Sequence, residues 1–181
     1  MYFLAKQIGL VDALGDSRNG RLAVWQVLAR TIDQGSRLSA TRLARNHEID
    51  FLEVGTFDED SLYKNLDWLA QHQTEIETKL YNQRYDQSPC SLFLYDVTSS
   101  NFEGVHNELA AFGYNRDKKK GKMQIVVGLF CSQDGTPVAV EVFEGNTNDT
   151  KTMHNQIKKP SEQFHAKNVV FVGDRGIIKS P

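Results

Sequence analysis

Two aspartates follow runs of apolar residues, and their matched settings point to metal chemistry. Asp96 lies in SLFLYDV, residues 91–97, and Asp174 ends NVVFVGD, residues 168–174. An ionised carboxylate is costly to bury unless it is paired or binds a metal. The carboxyl ends of strands are also where open α/β sheets place their sites. We therefore expect the two carboxylates to converge if their strands are neighbours.

Converging carboxylates form a hard oxygen site that suits Mg²⁺ or Mn²⁺. Two such ions about 3.5–4 Å apart can activate an attacking oxygen and stabilise a leaving oxygen in phosphoryl transfer. The sequence thus predicts a two-metal site in which Asp96 and Asp174 are the catalytic and metal-binding residues. The alternative, from the residues alone, is that each aspartate only caps the turn after its strand.

The second half of the chain, residues 87–181, reads as strands with one helix between them. The runs that lead to the two aspartates are apolar throughout, which is typical of strands buried on both faces. Asp134-Gly135 separates two further strand-like runs and predicts a hairpin. About two dozen residues separate the last two strands, which suffices for a crossover to a parallel neighbour. The predicted elements are strands at 91–97, 123–131 and 136–143, a helix at 150–159 ended by Pro160, and a strand at 168–174.

Residues 1–86 read as a helical region that could bind DNA. Apolar side chains recur at helical spacing between Gly20 and Gly35, and Ser39 is predicted to cap a second, shorter helix. A third, long helix begins with acidic residues, which suit the positive end of the helix dipole. Two adjacent short helices fit either a helix-turn-helix or a plain helical bundle. The apolar positions are Leu22, Val24, Trp25, Leu28, Ala29 and Ile32 in the first of these helices, and Leu62, Leu66, Leu69, Ile76 and Leu80 in the long one.

Basic residues are clustered, although the net charge of −2 gives no overall sign of a nucleic-acid binder. Six arginines and a single acid, Asp33, lie between Arg18 and Arg45. A second basic cluster, RDKKKGK, spans residues 116–122. Local positive charge is what meets phosphate, so both clusters are candidate DNA contacts, with solvated surface as the alternative. The candidates are Arg42, Arg45, Lys118, Lys119, Lys120 and Lys122.

The 181-residue chain has ordinary globular composition, with 40% hydrophobic residues. No apolar run approaches the ~20 residues that span a bilayer, and the N-terminus does not match a signal peptide. Cys90 and Cys131 are far apart and match no metal spacing, so we expect buried free thiols. These features predict a cytoplasmic protein without a membrane partner.

Several motifs in order give a specific resemblance between residues 91 and 176. They are YDVTSSNFEG at 95–104, a basic Gly-Tyr loop at 113–122, DGTP at 134–137, EVFEGNTND at 141–149 and VVFVGDRG at 169–176. Together they resemble the catalytic domain of DDE transposases of the insertion-sequence-four superfamily, in its 1634-type branch.

The resemblance implies a ribonuclease-H-like fold, a mixed sheet whose first and fourth strands are neighbours. It assigns Asp96 and Asp174 as the first two acids of a Mg²⁺- or Mn²⁺-dependent two-metal site. The implied function is cleavage of DNA at transposon ends and joining to a target. Arg175 would approach a phosphate in the cleft or pair with an acid. The implied partners are transposon-end and target DNA, and a second copy or a full-length transposase.

One departure from the family concerns its third acid, a glutamate on a helix downstream of the second aspartate. No acid follows Asp174 in this sequence, so we expect a chain truncated before that residue and inactive by itself. Glu141, Glu144 and Asp149 are poor substitutes, because that part of the fold does not supply the third ligand. A non-catalytic DNA-binding remnant or regulator of transposition is the main alternative. An aspartate-nucleophile phosphatase is a further one, disfavoured because Thr98 stands where a second acid is needed.

Overall fold

A computed structural model describes residues 1–85, 90–104, 106–113, 121–148, 152, 158–166 and 170–172. The chain divides into two compact units, Met1–Arg84 and Tyr85–Pro181. Helices dominate the first unit and a sheet the second, which confirms the predicted α/β class. In the ranges given above, no helix combines the length and the apolarity that crossing a membrane requires.

The first unit is built from helices around one apolar core. The predicted helix α3 is confirmed, and its Leu22, Val24, Trp25 and Leu28 are all buried. Ile32, the last residue of that helix, is instead 49% exposed. The elements are α1 (Tyr2–Gln7), α2 (Leu10–Leu14), α3 (Arg18–Ile32), α4 (Arg37–Asn46), a 3-10 turn (Asp50–Leu52) and α5 (Glu59–Tyr85).

Serine side chains cap the N-termini of two of these helices, and one of the two caps is not the serine that the sequence predicted. Ser17 Oγ accepts a hydrogen bond from the Gly20 N–H at 3.1 Å and caps α3. Ser36 Oγ accepts from the Ser39 N–H at 3.2 Å and caps α4. The prediction that Ser39 is the cap was therefore wrong, since the helix begins before it and includes it. A serine at either position could satisfy a free N–H, and only packing decides between them.

A buried polar network joins α3, α4 and α5. The Gln26 side-chain amide donates to Leu62 O at 3.2 Å and to Asn65 Oδ1 at 2.8 Å. Gln26 Oε1 accepts from Arg37 Nη1 at 2.5 Å, and Asn65 Nδ2 donates to Asn19 O at 2.8 Å. Because Gln26 and Asn65 are 5% and 1% exposed, losing one member leaves buried polar groups unpaired.

The second unit contains a four-stranded mixed sheet in the order β3-β2-β1-β4. β1 pairs antiparallel with β2 and parallel with β4, and β2 pairs antiparallel with β3. The predicted hairpin is confirmed, as is the expected adjacency of the first and fourth strands. The elements are β1 (Leu92–Phe102), β2 (Met123–Ser132), β3 (Pro137–Glu144), α6 (Lys159–Glu162) and β4 (Val170–Val172).

One face of the sheet is packed and the other is partly open. On the packed face the Phe93 ring stacks with Phe130 at 4.9 Å and with Phe164 at 6.5 Å between centroids. On the other face Val170 and Val172 are 58% and 48% exposed. Burial alternates along β1 as well. The predictions that the first and last strands are buried on both faces were therefore wrong.

The connection before β4 differs from the sequence prediction where the structure describes it. Pro160 lies in the first turn of α6, where its missing N–H costs nothing, and does not end a helix. Thr152 is helical, as predicted, and its N–H donates to Asn148 O at 3.3 Å. The rest of the predicted helix before residue 158 lies outside the described residues.

We expect Gln26→Met to lower the free energy of unfolding by about 1–3 kcal/mol, because the substitution keeps the volume but removes the hydrogen bonds of Gln26 to the buried Asn65 Oδ1 and to Arg37 Nη1. Urea unfolding followed by circular dichroism measures the change. Gln71→Met, at an exposed position of α5, is the matched control and should change stability by less than about 0.5 kcal/mol. Equal effects of the two substitutions would contradict a structural role for the network.

Candidate metal site

Asp96 lies in the middle of β1, as the fifth of its 11 residues. The strand continues to Phe102, and Asp96 stands opposite Leu129 of β2. The expectation that Asp96 ends its strand was therefore wrong. The polar residues after Asp96 remain in the sheet because their backbone groups pair with β2, up to Asn101 opposite Gln124.

The Asp96 carboxylate lies on the open face of the sheet and is exposed. Its Oδ1 accepts a hydrogen bond from the Val97 N–H at 2.9 Å. In the part of the chain that the structure describes, its second oxygen has no hydrogen-bond partner. Asp96 therefore offers an accessible hard oxygen donor of the kind that Mg²⁺ and Mn²⁺ bind.

Cys131 is close enough to Asp96 to sense its charge. Partial burial, and secondarily the negative charge of Asp96, raise the pKa of the Cys131 thiol. Both cysteines are free, as predicted, but only Cys90 is fully buried. The Cys90 thiol instead contacts Leu92 O at 3.0 Å. The Cys131 thiol is therefore a natural reporter of charge at Asp96.

The other predicted site residues are only partly described. Asp174, Arg175, Lys118, Lys119 and Lys120 lie outside the described residues. Within the described ranges no group of three or more His, Cys, Asp or Glu side chains could hold a metal ion. Asp174 as a partner of Asp96 stays a prediction.

Among the described basic candidates, Lys122 is paired and the two arginines are not. Lys122 Nζ forms an ion pair with Glu103, at the other end of the β1–β2 connection. Arg42 and Arg45 are exposed on α4, in the helical unit. DNA contacts by these three residues stay predictions.

Three acids were considered in the sequence as substitutes for a third metal ligand, and the structure describes two of them, Glu141 and Glu144. Glu141 Oε2 pairs with Lys159 Nζ at 2.9 Å and alternates to the face opposite Asp96. Glu144 is exposed at the end of β3, which is an edge strand of the sheet. Asp149 lies outside the described residues. Glu144 alternates to the same face as Asp96, and the expectation that none of these acids supplies the third ligand stays a prediction.

Gly145, within EVFEGNTND, is a structural residue that the sequence prediction missed. Its carbonyl accepts from the buried Gln124 Nε2 at 2.8 Å, and its N–H donates to Leu109 O at 2.9 Å. A Cβ at this position would lie 1.8 Å from Gln124 O and 2.6 Å from Ala111 O. Only glycine therefore allows this close approach, and an isolated glycine after a strand was the available signal.

Comparisons with known proteins give a weak structural similarity. No family model matches the chain, and no curated protein matches it. It is similar to a chain in the crystal structure of the Mos1 strand transfer complex, with 15% identity over 85% of this chain and a TM-score of 0.30. It is also similar to a chain in the crystal structure of a pre-cleavage Mos1 transpososome, with 16% identity over 85% of this chain and a TM-score of 0.28. The chain spans about half of those chains, 51% and 52%. Similarity at this level carries no argument about fold or function.

We expect Gly145→Ala to lower the free energy of unfolding by about 1–3 kcal/mol, because the new methyl group overlaps backbone atoms that cannot move independently. Thermal and urea unfolding measure the loss. The neighbouring exposed substitution Glu144→Ala should cost less than about 0.5 kcal/mol. A Gly145→Ala protein as stable as wild type would contradict the close contact between the backbones of Gly145 and Gln124.

We also expect Asp96→Asn to lower the pKa of the Cys131 thiol, because the substitution removes a nearby negative charge. More thiolate is then present at a given pH, so alkylation of Cys131 by iodoacetamide should accelerate and its pH–rate profile should move to lower pH. Mass spectrometry separates Cys131 from Cys90, whose rate should not change. An unchanged Cys131 profile would contradict the proximity of the two side chains.

Proposed function

We propose that this chain functions in metal-dependent DNA transposition. In this proposal, Asp96 and Asp174 are the first two acids of a ribonuclease-H-like DDE site of the insertion-sequence-four superfamily, 1634-type branch. The site would hold Mg²⁺ or Mn²⁺ and act on transposon-end and target DNA. The motifs between residues 91 and 176 support the family, and the pairing of β1 with β4 supports the site.

The single observation that carries the proposal is the register of these two parallel strands. Leu92 pairs with Val170 and Leu94 with Val172, so each paired residue of β4 follows its partner by 78 positions (170 − 92). Asp174 follows Asp96 by the same 78 positions (174 − 96). We propose that the register continues for two more residues and makes the two aspartates neighbours on the open face.

The chemistry of Asp96 fits a metal ligand better than a structural role. A buried structural carboxylate needs several donors, whereas Asp96 is exposed and accepts one hydrogen bond, from the next backbone N–H. Asp96 and Asp174 would hold the metal between them. Bound metal would activate the attacking oxygen and stabilise the leaving oxygen of the phosphodiester.

The chain's own residues would position the DNA around that metal. The open face of the sheet leaves Asp96 accessible to a phosphodiester. The connection that leaves β1 would place positive charge near the DNA backbone. Its candidate residues are Lys118, Lys119, Lys120 and Lys122. Arg175, next to the second aspartate in sequence, would contact the same phosphate.

A complete DDE site needs a third carboxylate, and no Asp or Glu follows Asp174 in these 181 residues. We therefore expect the chain by itself to give no Mg²⁺-dependent cleavage or joining of cognate ends. Measurable cleavage or joining would overturn this part of the proposal. Metal binding is the more direct test, because two carboxylates suffice to bind an ion weakly.

We expect Mn²⁺ to broaden the amide NMR signals of Tyr95–Val97 and Leu129, because the paramagnetic ion would lie beside Asp96. Asp96→Asn and Asp174→Asn should each abolish this broadening. Asp67→Asn removes an exposed carboxylate of α5 and should leave it unchanged. Broadening that persists in Asp174→Asn would overturn the two-aspartate site, and broadening centred elsewhere would overturn Asp96 as a ligand.

A further inference from the structure

A cavity of about 480 Å³ lies within the helical unit, where α1, α2, α3 and the 3-10 turn meet. Its volume is within the range of about 300–1,000 Å³ that is typical of small-molecule sites. All of its lining residues lie between positions 2 and 53, so one compact unit forms the whole cavity. Apolar groups and charges of both signs line it, and the arrangement of these charges determines which ligand would fit.

Two lining charges of opposite sign are not paired with each other. Lys6 lies in the last turn of α1 and Asp12 in the first turn of α2, and both are exposed. Neither side chain forms an ion pair or a hydrogen bond with the part of the chain that the structure describes. One positive and one negative group are therefore available to a ligand in the same cavity.

Arg21 of α3 adds a second positive group to the cavity wall. Its Nη1 donates to Glu53 Oε2 at 2.9 Å and lies 3.6 Å from Asp16 Oδ1. Its Nε–H is buried and has no acceptor among the described residues, which is unfavourable for a buried donor. A small movement of the side chain would bring this donor to a ligand acceptor beside Lys6.

Glu53, which holds Arg21, has an unusual backbone conformation. Its φ of 49° and ψ of 35° are left-handed, and a residue with a Cβ rarely adopts them. The conformation ends the 3-10 turn and places the carboxylate against the guanidinium of Arg21. Strained residues of this kind cluster at ligand sites, so the strain supports a role for this wall beyond packing.

The apolar lining of the cavity includes an aromatic pair. The Tyr2 and Phe51 rings contact each other edge to face, with 5.0 Å between centroids. Phe51 is 54% exposed, although it is a large apolar side chain. Val11, Val24 and Leu52 also line the cavity. An apolar ligand group packed here would remove the exposed ring from water, which is favourable.

We propose that this cavity binds a small zwitterion, an α-amino acid with an apolar or aromatic side chain. The ammonium group pairs with Asp12, and the carboxylate accepts from Lys6 and Arg21. The ligand side chain packs against Tyr2 and Phe51. A phosphate or another simple anion would meet three carboxylates in the lining, and a simple cation would leave Lys6 unpaired. Only a ligand with both charges satisfies both unpaired groups.

The test adds L-phenylalanine to the full chain and follows binding by two-dimensional amide NMR. Saturable shifts should centre on Lys6, Asp12 and Phe51. The matched control ligands are 3-phenylpropionate, which lacks the ammonium group, and phenethylamine, which lacks the carboxylate. Each should bind about tenfold more weakly or worse, because each loses a charge-assisted hydrogen bond.

Lys6→Gln and Asp12→Asn should each raise the Kd for L-phenylalanine by about tenfold or more, for the same reason. Lys64→Gln and Asp67→Asn remove the same charges from exposed positions of α5, outside the cavity, and should leave the Kd unchanged. All four side chains are exposed, so circular dichroism should show that the four variants fold like wild type.

Three outcomes would overturn the proposal. They are the absence of saturable shifts with L-phenylalanine, equal affinity for L-phenylalanine and either control ligand, and equal effects of the cavity and control variants. Asp96→Asn should bind L-phenylalanine like wild type, so a failure of the proposed metal site remains distinguishable from a failure of this cavity.

Discussion

The parallel pairing of β4 with β1 is the constraint on which the sheet and its candidate site depend. Two parallel neighbours cannot be joined by a tight turn, so the chain must cross the sheet between β3 and β4. Phe164, in this crossing, packs against Phe93 and covers one face. On the opposite face Asp96, Val170 and Val172 are exposed. The sheet therefore has one face that packs in the core and one face that carries an accessible carboxylate.

Polar groups in the helical unit divide into those that stabilise the fold and those that remain available. Gln26 and Asn65 are buried and hydrogen-bonded to each other, and Arg37 is drawn into the same network. Anchoring α4 through Arg37, its first residue, fixes which face of the helix turns outward. Arg42 and Arg45 then remain on the surface, where their charge is not neutralised within the described chain.

The sequence predicted the elements better than their surroundings. Strand-like runs on both sides of Asp134-Gly135 located the hairpin, because turn chemistry and strand propensity are local properties. The extent of β1 was missed, since Thr98 to Asn101 are polar and are held in the strand by backbone pairing with β2. Exposure of the strands was missed as well, because it depends on where the crossing packs. The sequence therefore identified Asp96 as a candidate residue, but it did not predict the position of Asp96 within the strand or the exposure of its carboxylate.

The most direct test of the central claim asks whether Asp174 is the neighbour of Asp96. Asp96→Cys with Asp174→Cys, in a chain whose Cys90 and Cys131 are replaced by alanine, should form an intramolecular disulfide rapidly under mild oxidation. Asp96→Cys with Gly176→Cys places the second thiol two residues further along the chain, a displacement of at most about 7 Å, and should oxidise far more slowly. Equal rates for the two pairs, or no disulfide with Asp174→Cys, would contradict the account.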